Sequence, residues 1–86
     1  MHAVVLRVNI GDPESSQEVL REQVVPQVAA APGFVAGYWV RVAENTGTSI
    51  VVFESEEAAG AAREQIQLPP GVTIERAEVG EVVAHA

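Results

Sequence analysis

Residues 2 to 10 alternate between two faces, with His2, Val4, Leu6, Val8 and Ile10 on one and Ala3, Val5, Arg7 and Asn9 on the other. That is the period of a half-buried strand. Asp12-Pro13-Glu14 then offers a helix N-cap, a proline for the first helical position and an acid for the first turn, with Ser15 and Glu18 at capping-box spacing. Leu20, Val24, Val28 and Ala31 recur at helical spacing on both sides of Pro26, which predicts a helix bent by the proline and ended only at Pro32-Gly33. From Phe34 to Ala43 alternation returns, Phe34, Tyr38, Val40 and Val42 being set against Val35, Trp39 and Arg41. The turn-rich Glu44-Asn45-Thr46-Gly47 leads to a third strand over 48 to 54, so these two strands form an antiparallel hairpin. Ser55 caps a second helix that opens with Glu56 and Glu57 and has Ala58, Ala59, Ala62 and Ile66 as its apolar face. Pro69-Pro70-Gly71 ends that helix, and residues 72 to 84 read as a last strand. Its alternation shifts between Ile74 and Val79, the mark of a bulge.

The order β-α-β-β-α-β predicts a single α+β domain over residues 1 to 86, ferredoxin-like, with two helices on one face of a four-stranded antiparallel sheet. On parity alone Val4, Leu6, Val8, Tyr38, Val40, Ile50 and Val52 meet the helices, and Arg7, Asn9, Trp39, Arg41, Val51 and Phe53 occupy the other face. That second face is too apolar to stand bare in water and too polar for an ordinary core.

Composition narrows the chemistry. The chain has no cysteine and no lysine, which excludes thiol nucleophiles, thiolate metal ligation and Schiff bases. A domain this small without disulfides gains stability from self-association. The net charge of −7 and the scattered arginines Arg7, Arg21, Arg41, Arg63 and Arg76 argue against nucleic acid and anionic membranes as partners. The first residues lack a basic region followed by a long apolar run, which predicts a cytoplasmic protein with no membrane span. Heavy use of Ala, Val, Gly, Glu and Arg without Lys points to a bacterial genome rich in G and C.

Ala31-Pro32-Gly33-Phe34, Trp39-Val40-Arg41 and the run Val52-Phe53-Glu54-Ser55-Glu56-Glu57-Ala58 together resemble the antibiotic-biosynthesis-monooxygenase-like dimeric α+β barrel superfamily. The resemblance spans nearly the whole chain, and its motifs mark structural corners. It implies a homodimer formed by setting bare sheet faces together and a cleft between sheet and helices for a small aromatic or apolar ligand. Activities in the superfamily include cofactor-independent oxidation of aromatic polyketides and oxidative haem breakdown. Haem-degrading relatives carry a histidine on the second helix, but residues 56 to 67 contain none, and Phe53 stands where those relatives tend to have tryptophan. The resemblance therefore implies no cofactor and no metal. Cofactor-independent oxygenases use asparagine and tryptophan to orient a substrate that itself reduces oxygen, and Asn9 and Trp39 are residues of those types.

The substrate-binding candidates are thus Asn9, Trp39, Arg41 and Phe53. Each has a competing role. Asn9 satisfies backbone groups in the coming turn or orients a substrate. Trp39 anchors an interface or core, or stacks on a ligand. Arg41, and with less reason Arg7, bridges to an acid across a dimer interface or holds a carboxylate or phenolate. His2 and His85, the available bases near neutral pH, lie beside the termini, where chains fray. The Glu54, Glu56 and Glu57 cluster is explained by the helix start. Two functions remain open: a cofactor-independent monooxygenase acting on a small aromatic, and a non-catalytic ligand-binding or interaction module of the same fold.

Overall fold

The computed structural model describes residues 1–66, 68–69 and 71–86. Strand β1 (His2–Ile10) leads into helix α1 (Pro13–Val19), a π-helical segment (Leu20–Val24) and helix α2 (Val25–Ala29). The hairpin β2 (Phe34–Ala43) and β3 (Thr46–Phe53) follows, then helix α3 (Glu56–Glu64) and strand β4 (Val72–Glu81). The strands form one antiparallel sheet in the order β2-β3-β1-β4, the ferredoxin-like arrangement. Both helical layers pack on the same face. Val4, Leu6, Val51, Phe53 and Ala59 make the buried centre, with Val28 of α2, Ala58 and Ala62 of α3, and Ala31 and Ile66 just beyond those helices packed against it.

Local chemistry accounts for the ends of these elements. The Asp12 side chain accepts the Ser15 backbone N–H, with Pro13 in the first helical turn. Ser15 therefore lies inside the helix rather than opening a capping box with Glu18. Ser55 Oγ accepts the Ala58 N–H at 3.1 Å, as the sequence predicts. Pro26 does not stop the first helix. The Val25 N–H reaches back five residues to the Leu20 carbonyl, and this widened turn places Pro26 in the first turn of α2, where a missing N–H costs least. Gly33 adopts φ +80°, and its carbonyl accepts the Glu54 N–H at 2.8 Å, so the Pro-Gly-Phe corner is tied to the end of β3. Helix α3 ends at Glu64, before Pro69, with Gln65 as its C-cap residue. The Pro70 part of the expected stop lies outside the described residues. On β4 the register skips Glu75, which is the anticipated bulge.

The face assignment holds for β1 and reverses for β2 and β3. Val4, Leu6 and Val8 lie opposite Val51, Ser49 and Gly47, and Ser49 lies opposite Trp39. Trp39, Arg41, Val51 and Phe53 therefore share the helix side, while Tyr38, Val40, Ile50 and Val52 share the bare side with Val5 and Arg7. For β2 the cause is a bulge at Val35: Phe34 pairs with Phe53 and Ala36 with Val52, so one residue is skipped, whereas β3 takes its faces from its unbroken register with β1. An inserted residue inverts every side chain beyond it. Phe34 and Trp39, of opposite parity, thus lie on one face, and Phe34 meets Phe53 edge to face at 6.3 Å.

Candidate functional site

Val28 and Ala31 rest on the core, but the earlier half of the first helical stretch stands away from the sheet. Helix α2 approaches β2 and α3 approaches β1, β3 and β4, whereas α1 has no comparable approach to any strand. Between α1, the π segment and the sheet lies a cleft of about 720 Å³, within the range typical of small-molecule sites.

Its floor is the helix side of the sheet: Val4, Leu6 and Val8 from β1, Ser49, Val51 and Phe53 from β3, and Trp39 and Arg41 from β2. Its roof is Ser16, Leu20, Val24 and Val28, one residue per turn of the first helical stretch. Ala62 and Ile66 close the far wall. Two glycines shape the floor. A Cβ on Gly37 would lie 2.8 Å from the Trp39 ring, so the indole folds back over the space this glycine leaves. A Cβ on Gly47 would come within 3.1 Å of Ile10 and 3.2 Å of Val8.

Polar groups in the cleft are few. Ser16 is 6% exposed, and its Oγ is buried without a hydrogen-bond partner. Ser49 is likewise buried, opposite Leu6 and Trp39. Gln17, Gln27 and Gln65 are exposed amides lining the same space. Arg41 is the one charged side chain that lines the cleft among the described residues. It borders a second, shallower depression with Asp12, Pro13 and Glu14, which places it at the α1 end of the cleft.

The cleft brings Trp39, Arg41 and Phe53 together, and it leaves Asn9 out. Asn9 is exposed at the end of β1, between Thr46 and Thr73, on the bare side of the sheet with Arg7. The asparagine–tryptophan pair that the resemblance suggested is therefore split across the sheet. Phe53 is only 1% exposed and serves first as the centre of the core. Arg7 pairs with Glu75 at 3.4 Å within the chain. His2 lies 3.6 Å from Glu56, and neither His2 nor His85 lines the cleft.

Ser16 escaped the sequence reading, which placed Asn45 in the hairpin turn without its tie to β1. Ser16 is in phase with Leu20, Val24 and Val28, four residues apart. A hydroxyl set into an apolar stripe was the available signal. Asn45 donates from Nδ2 to the Ile10 carbonyl at 2.7 Å, and its own carbonyl accepts the Ile10 N–H at 2.8 Å, which pins the hairpin turn to the end of β1. No family model matches the chain, and no curated protein matches it. Among the described residues no helix is long and apolar enough to cross a membrane.

Proposed function

We infer that this protein binds a small, largely apolar molecule in the cleft between its first helical stretch and its sheet. The observation that carries the reading is the buried, unpartnered Ser16 hydroxyl on an otherwise aliphatic helix stripe facing that cleft. A buried hydroxyl without a partner costs about 1–3 kcal/mol, and a ligand toward which the Ser16 side chain rotates to share a hydrogen bond recovers it. Trp39 supplies a flat apolar surface for an aromatic or alicyclic body. The non-catalytic binding module is favoured over the cofactor-independent monooxygenase, because Asn9 lies on the opposite face from Trp39.

The wider setting proposed is a cytoplasmic, bacterial homodimer similar to the antibiotic-biosynthesis-monooxygenase-like barrels. Its support is the bare sheet face, where Val5, Tyr38, Val40 and Ile50 are exposed in a contiguous block. That face meets the cleft only at the edge formed by Val40 and Thr48, so pairing centred on Val5, Tyr38 and Ile50 leaves the cleft available.

Trp39 is the only tryptophan, and its emission therefore reports on the cleft directly. Titration with small apolar alcohols and phenols is expected to shift that emission saturably and to raise the melting temperature. No saturable response from any of them counts against the binding reading. Oxygen uptake with hydroquinone or anthrone substrates above the uncatalysed rate would restore the oxygenase in place of the passive module.

A further inference from the structure

We propose that the molecule held in the cleft is a monocarboxylate with an apolar body, and that Arg41 selects it. This rests on the cleft being a ligand site, as inferred above. The chain carries a net charge of −7, yet the only charge lining the cleft among the described residues is a cation. Other arginines are engaged within the chain: Arg7 with Glu75, Arg76 with Glu78, and Arg63 with the Ala77 carbonyl. Arg41 has no ion-pair partner among the described residues, although Asp12, Glu14 and Glu44 border the same opening. Arg21 has none either, but it does not line the cleft.

The position of Arg41 is built. Trp39 and Arg41 follow the Val35 bulge onto the helix side, and Arg41 lies opposite Gly47, over which Val8 and Ile10 pack to form the floor there. Across the opening stands the first turn of α1, with Pro13 bordering both depressions and Ser16 three residues further on. The head group is thus met at one end of the cleft by the guanidinium of Arg41 from the sheet. Guanidinium matches a carboxylate in shape as well as charge. The apolar body runs from there over Leu6 and Val51 toward Val28 and Ile66. Arg41 offers one attractive charge, and Asp12, Glu14 and Glu44 around the opening add repulsion with every further negative charge on the ligand. Phosphate esters and dicarboxylates are selected against on this account.

Decanoate and decan-1-ol share an apolar body and differ in the head group. Their affinities for the intact protein, read from Trp39 emission and from the thermal shift, separate the two ideas. Decanoate is expected to bind about tenfold more tightly, the usual size of one charge-assisted hydrogen bond at a partly solvated site. Arg41→Gln, a change at an exposed side chain, is expected to abolish that preference and bring the two affinities together. Equal affinities in the wild-type protein, or a preference that survives in Arg41→Gln, overturn the carboxylate proposal and leave the binding site standing. Failure of both compounds to bind overturns the site itself, and this proposal with it.

Discussion

Ser16 and His2 each bury a polar side-chain atom without a partner, and of the two only Ser16 lines the cleft. It sits in a helix, 6% exposed, with a hydroxyl that finds no partner, where alanine would have a better helix propensity and no polar atom to bury. Ser16→Ala is therefore expected to stabilise the ligand-free protein by about 1 kcal/mol, the lower end of the penalty for an unsatisfied buried hydroxyl. The same substitution is expected to weaken binding of any ligand that hydrogen-bonds at that end of the cleft. Chemical denaturation and a Trp39 titration on one preparation measure both. A residue kept only for packing would show a loss of stability and no change in affinity.

Corners fix how the elements meet, and Gly33 is the most constrained of them. Its φ of +80° disfavours any residue with a side chain, and a Cβ there would lie 2.9 Å from the Ala58 Cβ in the first turn of α3. Gly33→Ala is expected to cost about 2–3 kcal/mol, from the left-handed backbone and the forced displacement together. Adding Ala58→Gly should recover the steric share and leave the backbone share, so a double-mutant cycle by urea unfolding resolves the two. If the cycle shows no coupling, the helix start does not press on this turn. The first helical stretch obeys similar local rules. A widened π turn shifts the hydrogen-bond register by one residue, Pro26 falls in a first turn, and the helix carries Leu20 and Val24 over the cleft instead of breaking.

The two faces of the sheet differ in what covers them. One is covered by helices and encloses the cleft. On the other, Tyr38, Ile50 and Val5 form a cross-strand row, with Val40 beside it, all exposed in the single subunit. The charges on that face are balanced close to home, Arg7 by Glu75 and Arg76 by Glu78, so an apposed copy meets an apolar strip with little net charge. Ile50→Lys, at the middle of the row, is expected to convert a dimer into a folded monomer. Light scattering reports the mass and far-ultraviolet circular dichroism the fold. A wild-type protein that is already monomeric at micromolar concentration overturns the dimer proposal and leaves the cleft untouched.

Element order, caps, the Pro-Gly-Phe corner and the β4 bulge were legible along the chain, because each depends on residues a few positions apart. Asp12 and Ser55 cap through neighbours three residues on, and such short-range geometry needs no knowledge of the rest of the fold. The faces of β2 and β3 were not legible. Ile50, Val51, Val52 and Phe53 are apolar at every position, so alternation cannot choose an inside for them, and the skipped Val35 inverts β2 relative to its own first residue. Only pairing with β1, whose Val4 and Leu6 face the helices, decided that Trp39 and Arg41 share a cleft and that Asn9 does not. Residue type put Asn9, Trp39, Arg41 and Phe53 on one list; register across three strands separated them. Side-chain period in a sheet is two, so an error of one residue in register moves a candidate from one side of the molecule to the other.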